Sequence, residues 1–475
     1  MPDRHDPRPD WHPEPELIRI VDPATSRDAL RAAGAAAWES GLAYLYDHAL
    51  ERAMGDPIDY DELRALYFGP SGTPGPAPAD PSRLEDVLAE FDERIAPHNV
   101  SAYHPRSYGY FTPPPLVASI AGEVLAQFTQ QGVDLWHAGP VAAFVEEEVI
   151  RWLCDVVGYG PGSFGILTSG GTMANVIGMT LARDIHLARL RGGHRPRGRD
   201  LEGGRVYASD QTHFSIGRAL DELGFPPETL SIVPADEAFR LRGAAVAEAI
   251  ARDRAAGLTP FAIAAVAGAT NTGSVDAVAE LADVAAREDL WLHVDAAYGA
   301  AARLSPRDAF RVPDLERAHS VTVDPHKWFF QGYDIGGIVV RDGSHLERTF
   351  GSRTPEYYRG GERGTGGANA AGAAPKPAAP VEDEDHEHGD ASQLNFYKLG
   401  FEGSRRARAM KLWVSWKHLG TSGLARLVEA NIDLARHLAR RVAEAADFEA
   451  LPADPPLSVV CFRHLPGGAA AAHAM

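Results

Sequence analysis

The sequence predicts an α/β protein in which a mostly parallel sheet is covered by helices on both faces. Two observations carry that reading. Between about residues 140 and 342, short apolar runs rich in Val, Ile and Ala alternate with longer segments of helical apolar spacing, the pattern of strands joined by crossover helices. Polar residues also collect at the carboxyl ends of those runs, where ligands bind in such sheets.

Taken in order, residues 1 to about 25 are rich in Pro and charge and are expected to be extended. The segments "DALRAAGAAAWESGLAYLYDHAL" and "RLEDVLAEFDERI" have helical spacing and flank the linker "GPSGTPGPAPADPS". In the central region "FVEEEVIRWLCDVVG" predicts a helix, "GILTSGGTMANVIGMTLARDIHLARL" a strand or turn entering a long helix, and "GRVYASDQTHFSIGRALDEL" a strand, loop and helix. The series continues through "FAIAAVAGATNTGSVDAVAELADVAARED", "LWLHVDAAYG", "SVTVDPHKWF" and "GGIVVRD". A Gly/Ala/Pro-rich run over 359–392 ends in an acidic and histidine cluster; its composition cannot bury a core, so it predicts a flexible loop, and His386 and His388 read as solvated rather than metal-binding. A long helix to about Ala446 follows, and then "LSVVCFRHL" as a strand. The organisation is therefore an N-terminal segment 1–105, a large α/β domain 106–358, the loop 359–392, and a C-terminal helix with a small domain over 393–475.

Composition narrows the function. The 475 residues are 45% hydrophobic and 23% charged, ordinary for a globular chain, and their formal charge of −19 argues against nucleic acid or an anionic membrane as a partner. The two cysteines, Cys154 and Cys461, form neither a disulfide framework nor a metal-ligand spacing, and the N-terminus lacks the apolar core of a signal peptide. These features predict a cytoplasmic protein without a membrane span or a metal site.

Of the 46 basic residues, 41 are arginine, and the first lysine is Lys327, set between His326 and an aromatic run. Arginine serves equally well wherever only a solvated positive charge is needed, so a lysine in apolar surroundings points to amine chemistry. Three other segments bear on it. "LTSGGTMAN" places Gly171 and Thr172 at a helix N-terminus, where backbone N–H groups hold phosphate, although such a turn also serves packing. "LHVDAAYG" ends a strand in Asp295, a carboxylate that needs a cation, with Arg303 as one structural partner. "SDQTHFSIGRA" offers His213, either as an aromatic plate or as a loop residue capping a helix. Amine, phosphate cradle and carboxylate together suit a phosphorylated pyridine aldehyde, pyridoxal 5'-phosphate. Thirty-two residues separate Asp295 from Lys327, which fits neighbouring strands joined by a helical crossover.

"HVDAAYG" and "DPHKW", with "SGGTMAN", "SDQTHFS", "GATNTGSVD" and "SRRARAMKLW", resemble the group II pyridoxal-phosphate decarboxylases, the aromatic-L-amino-acid and glutamate decarboxylase family, from about Tyr103 to about Phe462. The resemblance implies fold type I of the pyridoxal-phosphate enzymes, aspartate-aminotransferase-like, with a seven-stranded, mostly parallel sheet. It implies Lys327 as the lysine that condenses with the cofactor, His326 beside it, Asp295 on the pyridine nitrogen, and His213 stacked on the ring. Thr270 and Ala297 would lie near the ring, and Gly171 and Thr172 would bind phosphate. Tyr357 matches the tyrosine that protonates the substrate carbon, with Tyr358 as the adjacent alternative. Asp324 stands where the aromatic branch has asparagine. A carboxy-lyase acting on an L-amino acid is implied, aromatic by the likeness of "DPHKWFFQ" to that branch. Glutamate, aspartate or diaminobutyrate decarboxylation, aldehyde synthesis, and an inactive cofactor-binding homologue are the alternatives. A homodimer with a shared active site is implied, with Tyr103 to Phe111 near the two-fold. The family's small C-terminal domain runs beyond the "LSVVCFRHL" strand, so an incomplete small domain with an exposed sheet edge is expected.

Overall fold

A computed structural model describes residues 27–51, 58–351 and 394–466. They fall into two compact units, divided after Tyr110. The first contains helices α1 (Arg27–Ala43), α2 (Tyr60–Phe68) and α3 (Leu84–Glu90). Asp59 caps α2 by accepting the Glu62 backbone N–H at 2.8 Å. Ser40 on α1 donates to Asp92 just beyond α3 at 3.0 Å.

The second unit is built on seven strands: β1 (Phe164–Thr168), β2 (Gly204–Ser209), β3 (Leu230–Val233), β4 (Thr259–Val266), β5 (Trp291–Asp295), β6 (Ser320–Val323) and β7 (Gly336–Val340). Their order across the sheet is β1-β7-β6-β5-β4-β2-β3. All neighbouring pairs are parallel except the two made by β7, which is reversed. Every residue of β5, β6 and β7 is buried, and of β4 all but the first. A strand with no exposed alternation has both faces covered, so continuous Val/Ile/Ala runs are what this sheet requires.

The covering helices are α4 (Val117–Thr129), α5 (Pro140–Val157), α6 (Gly171–Leu181), α7 (Ser215–Glu222), α8 (Gly243–Ala255), α9 (Val278–Glu288), α10 (Ser344–Phe350) and α11 (Ala409–Glu444). Helix α6 packs over β7 and β6 and against α7, whereas α8 and α9 pack on each other and on β4. Helix α11 breaks at Gly420, whose φ of 66° favours glycine. A two-stranded sheet, β8 (Phe448–Ala450) with β9 (Phe462–His464), closes the described chain. Among the described residues no helix is long and apolar enough to cross a membrane.

Three local readings change. The connection from β5 to β6 is not an α-helix but three short 3-10 turns, Gly299–Leu304, Ala309–Arg311 and Leu315–Arg317; Pro306 and Pro313 interrupt the segment and remove helical N–H donors. The four-residue edge strand β3 is too short to stand out as a periodic run. "LSVVCFRHL" is strand only over Phe462–His464, and its partner β8 was not foreseen.

Candidate active site

Register assembles the site. Val266 of β4 pairs with Asp295 of β5, and Asp295 pairs with Thr322 of β6, so three parallel strands end abreast. Beyond β6 the chain turns tightly, with the Asp324 N–H on the Ala297 carbonyl at 3.0 Å and the Lys327 N–H on the Asp324 carbonyl at 2.9 Å. Asp295 and Lys327 thereby line one pocket with Phe111, His213, Val266, Gly268, Thr270, Ala297 and Tyr298. Five predicted site residues, Lys327, Asp295, His213, Thr270 and Ala297, are thus brought together.

Asp295 is 7% exposed. Its Oδ1 accepts the Ala297 N–H at 3.1 Å and its Oδ2 accepts from Asn175 Nδ2 at 2.7 Å. Arg303 is not its partner, since that guanidinium lies on Glu316 at 3.3 Å and on the carbonyls of Val156 and Val312. His213 both lines the pocket and serves its loop, with Nδ1 2.7 Å from Ser215 Oγ at the start of α7. Burial lowers its pKa, which favours neutral imidazole, against the opposing pull of Asp295.

Gly171 and His326 lie around Asp324, and Thr172 follows Gly171 on α6. Gly171 opens α6, and a Cβ there would come 2.6 Å from Asp324 Oδ2; a Cβ on Gly170 would meet His326 Cε1 at 3.2 Å. The Lys327 amine is 3.2 Å from Asp324 Oδ2, and His326 Nε2 is 3.6 Å from it. Burial pushes the Asp324 carboxyl above the usual carboxylate range, opposed by Lys327 and His326, and among the described residues its Oδ1 has no hydrogen-bond partner. Tyr357 and Tyr358 lie outside the described residues, as does the run 359–392.

The arrangement fits pyridoxal phosphate. Asp295 is a buried carboxylate satisfied by neutral donors and without an ion pair among the described residues, which leaves its charge for a protonated pyridine. Lys327 supplies an amine in the same pocket. The backbone at Gly171 approaches Asp324 too closely for a side chain, at a helix N-terminus suited to an anion.

The family model described as the pyridoxal-dependent decarboxylase conserved domain matches residues 70–362 and 384–465. The chain belongs to the pyridoxal-dependent decarboxylases. This decarboxylase is 32% identical over 421 residues to an aromatic-L-amino-acid decarboxylase of Bacillus atrophaeus, covering 88% of this chain and 78% of that one. It is 30% identical over 390 residues to an L-2,4-diaminobutyrate decarboxylase of Rhizobium meliloti, covering 82% and 71%. Among solved structures, the glutamate decarboxylase domain of the diaminobutyrate-pyruvate transaminase and L-2,4-diaminobutyrate decarboxylase from Vibrio parahaemolyticus superposes with a TM-score of 0.76 at 25% identity, over 93% of this chain and 83% of that one. The decarboxylase is a lyase acting on an amino acid, its cofactor is pyridoxal phosphate, and its fold is type I of the enzymes that use it.

Sequence reasoning missed several residues around the pocket. Phe111 and Tyr298 form its aromatic wall, with ring centroids 4.7 Å apart. Asp276 in "GATNTGSVD" is raised to about 7 by burial and accepts the N–H groups of Leu241 and Val266, each at 2.7 Å, fixing the end of β4. Asn175 lies inside the quoted "SGGTMAN". Its signal was its place one turn beyond Gly171, on the helix whose N-terminus faces the strand ends.

Proposed function

We propose that this enzyme converts an aromatic L-amino acid to its amine and carbon dioxide, as a cytoplasmic homodimer, with Lys327, Asp295 and His213 at its centre. The observation that supports an aromatic substrate is the pocket wall of Phe111, Val266, Ala297 and Tyr298. Apart from Lys327 and His213, which this reading assigns to the cofactor, no cation lines the pocket among the described residues. A second substrate carboxylate would therefore be buried without a partner, whereas an aromatic ring gains contact with Phe111 and Tyr298.

When bound, pyridoxal phosphate supplies a conjugated pyridine that accepts the electron pair left as the substrate carboxylate departs. The protein's part is to hold and protonate. Lys327 would present the amine that retains the cofactor, Asp295 would keep a proton on the pyridine nitrogen, and His213 and Ala297 would lie against the ring. Gly171, Thr172 and the first N–H groups of α6 would take the phosphate, His326 flanks Lys327 in sequence, and Thr270 would border the ring. Tyr357 would return a proton to the substrate carbon, with the adjacent Tyr358 as the alternative donor. Dimerisation is supported by apolar side chains exposed on α4 and α5, with Val117 at 81%, Phe128 at 65% and Val141 at 70%.

The test is carbon dioxide release across tyrosine, tryptophan, dihydroxyphenylalanine, phenylalanine, glutamate, aspartate and diaminobutyrate, with light scattering on the same sample. The aromatic substrates should lead by at least ~10-fold in kcat/KM, given ~1–3 kcal/mol for side-chain discrimination in a pocket. Preference for glutamate, aspartate or diaminobutyrate overturns the substrate assignment, and a fully active monomer overturns the dimer.

A further inference from the structure

Asn175 is 1% exposed and uses every hydrogen-bonding position of its amide. Its Nδ2 donates to Asp295 Oδ2 at 2.7 Å and to Ser215 Oγ at 2.8 Å. Its Oδ1 accepts from Thr322 Oγ1 at 2.7 Å and from His293 Nε2 at 3.0 Å. Because the Asp295 carboxylate can only accept, the NH2 edge of Asn175 must face it, and the amide has one orientation.

The proton directions then follow outward. Trp291 Nε1 donates to Ser320 Oγ at 3.0 Å, so the Ser320 proton is free to go to His293 Nδ1, 2.8 Å away. His293 thus carries its own proton on Nε2, toward Asn175. Its pKa is lowered to about 4 by burial, which leaves the single ring proton this chain needs. On the other branch, Ser215 Oγ accepts from Asn175 and passes its proton to His213 Nδ1 at 2.7 Å; the Ser215 backbone N–H also donates to that Nδ1, at 3.4 Å, so His213 holds its proton on Nε2. Four elements, β5, β6, α6 and the start of α7, supply one directed chain.

We infer that Asn175 is the positioning residue of this site: its amide fixes the Asp295 carboxylate directly and the tautomer of His213 through Ser215. A single side chain thereby governs both groups that the proposed function sets against the cofactor, and the inference rests on that reading. Losing the Asn175 donor frees one oxygen of Asp295 to rotate away or to be shared, so Asp295 holds a pyridine proton less firmly. The expected signature is a displaced pH titration of the bound cofactor, with kcat affected more than KM.

The experiment follows the visible absorbance of the bound cofactor against pH in Asn175→Asp, Asn175→Ala and Asp295→Asn, with kcat and KM in parallel and thermal melting of each apoenzyme as a check on folding. Asn175→Asp is the sharpest variant, because it keeps the size and the acceptor oxygen but turns a carboxylate toward Asp295, and two adjacent carboxylates then share a proton. The absorbance transition should be displaced by about one pH unit or more, and kcat should fall about 10- to 100-fold, the effect of one hydrogen bond to a charged group. KM should change much less. Thr322→Val removes one donor to Asn175 Oδ1 and should move the transition the same way by less; it carries the test if the Asn175 variants do not fold. Transitions that superimpose on wild type in folded Asn175 variants, while Asp295→Asn shifts its own, would make Asn175 a packing residue and overturn the inference. An unmoved transition in Asp295→Asn would overturn the assignment of Asp295, and this inference with it.

Discussion

Asp295 and Asp324 sit at the ends of neighbouring strands, both buried, and the structure treats them oppositely. Both oxygens of Asp295 are met by neutral N–H donors and it has no ion pair among the described residues. Asp324 has an Oδ1 without a partner among the described residues, and its charge depends on Lys327 at 3.2 Å and His326 at 3.6 Å. Neutral donors satisfy the oxygens of a carboxylate without supplying a counter-charge, so Asp295 has its ionic partner still to find. A carboxylate held by a cation loses its stabilisation when that cation is neutralised. Asp324 therefore depends on its neighbouring cations where Asp295 does not.

The most severe way to break this pairing is to remove the amine that the pocket and Asp324 share. Lys327→Ala should abolish turnover and the visible absorbance of bound cofactor, because among the described residues Lys327 is the lysine that lines the pocket, while Lys411 and Lys417 are held by Glu123 and Glu148. Normal absorbance in that variant would refute the assignment. Next in size, Asp295→Asn keeps the shape but leaves a pyridine proton without its counter-charge. Breaking a buried ion pair costs about 3–5 kcal/mol, so kcat/KM should drop by roughly two to four decades. A loss under tenfold would mean that the carboxylate serves the fold.

This contrast also separates what could be read from the sequence from what could not. Lys327 and Asp295 were legible because their chemistry is unusual for their surroundings: the first of five lysines in an arginine-rich chain and a carboxylate closing an apolar strand. The alternating strands and helices were legible for the same local reason. The chain through Asn175, Ser215, His293 and Thr322 was not, since each residue is unremarkable locally and its role arises from register. Thr322 reaches Asn175 from 147 residues away, and it does so because Asp295 pairs with Thr322 and His293 with Ser320. The edge strand β3 and the 3-10 crossover escaped because a short strand and a proline-interrupted segment leave no periodic trace. Arg303 offered a cation for Asp295 by sequence proximity, and packing against Glu316 took it elsewhere.

The mildest substitution addresses the conditional carboxylate. In the unliganded protein the Lys327 ammonium opposes the burial that raises Asp324. In the proposed site, binding withdraws that ammonium and brings a phosphate toward Gly171, whose Cβ position is 2.6 Å from Asp324 Oδ2. Both changes raise the Asp324 carboxyl further, so cofactor binding should take up a proton there. The sign follows from linkage: a group whose pKa rises on binding favours the complex at low pH, and that contribution is lost as pH climbs through its titration range in the free enzyme, by at most about tenfold in affinity per pH unit. Asp324→Asn removes the titration and offers an N–H to the anion at every pH. Lys327 and His326 are present in both proteins, so the informative quantity is the difference between the two curves of cofactor dissociation constant against pH, measured by equilibrium dialysis. The variant should bind more tightly than wild type at the alkaline end and no better at the acid end. Parallel curves would mean that Asp324 holds one charge state throughout, and its resemblance to Asp295 would then be closer than their hydrogen bonds indicate.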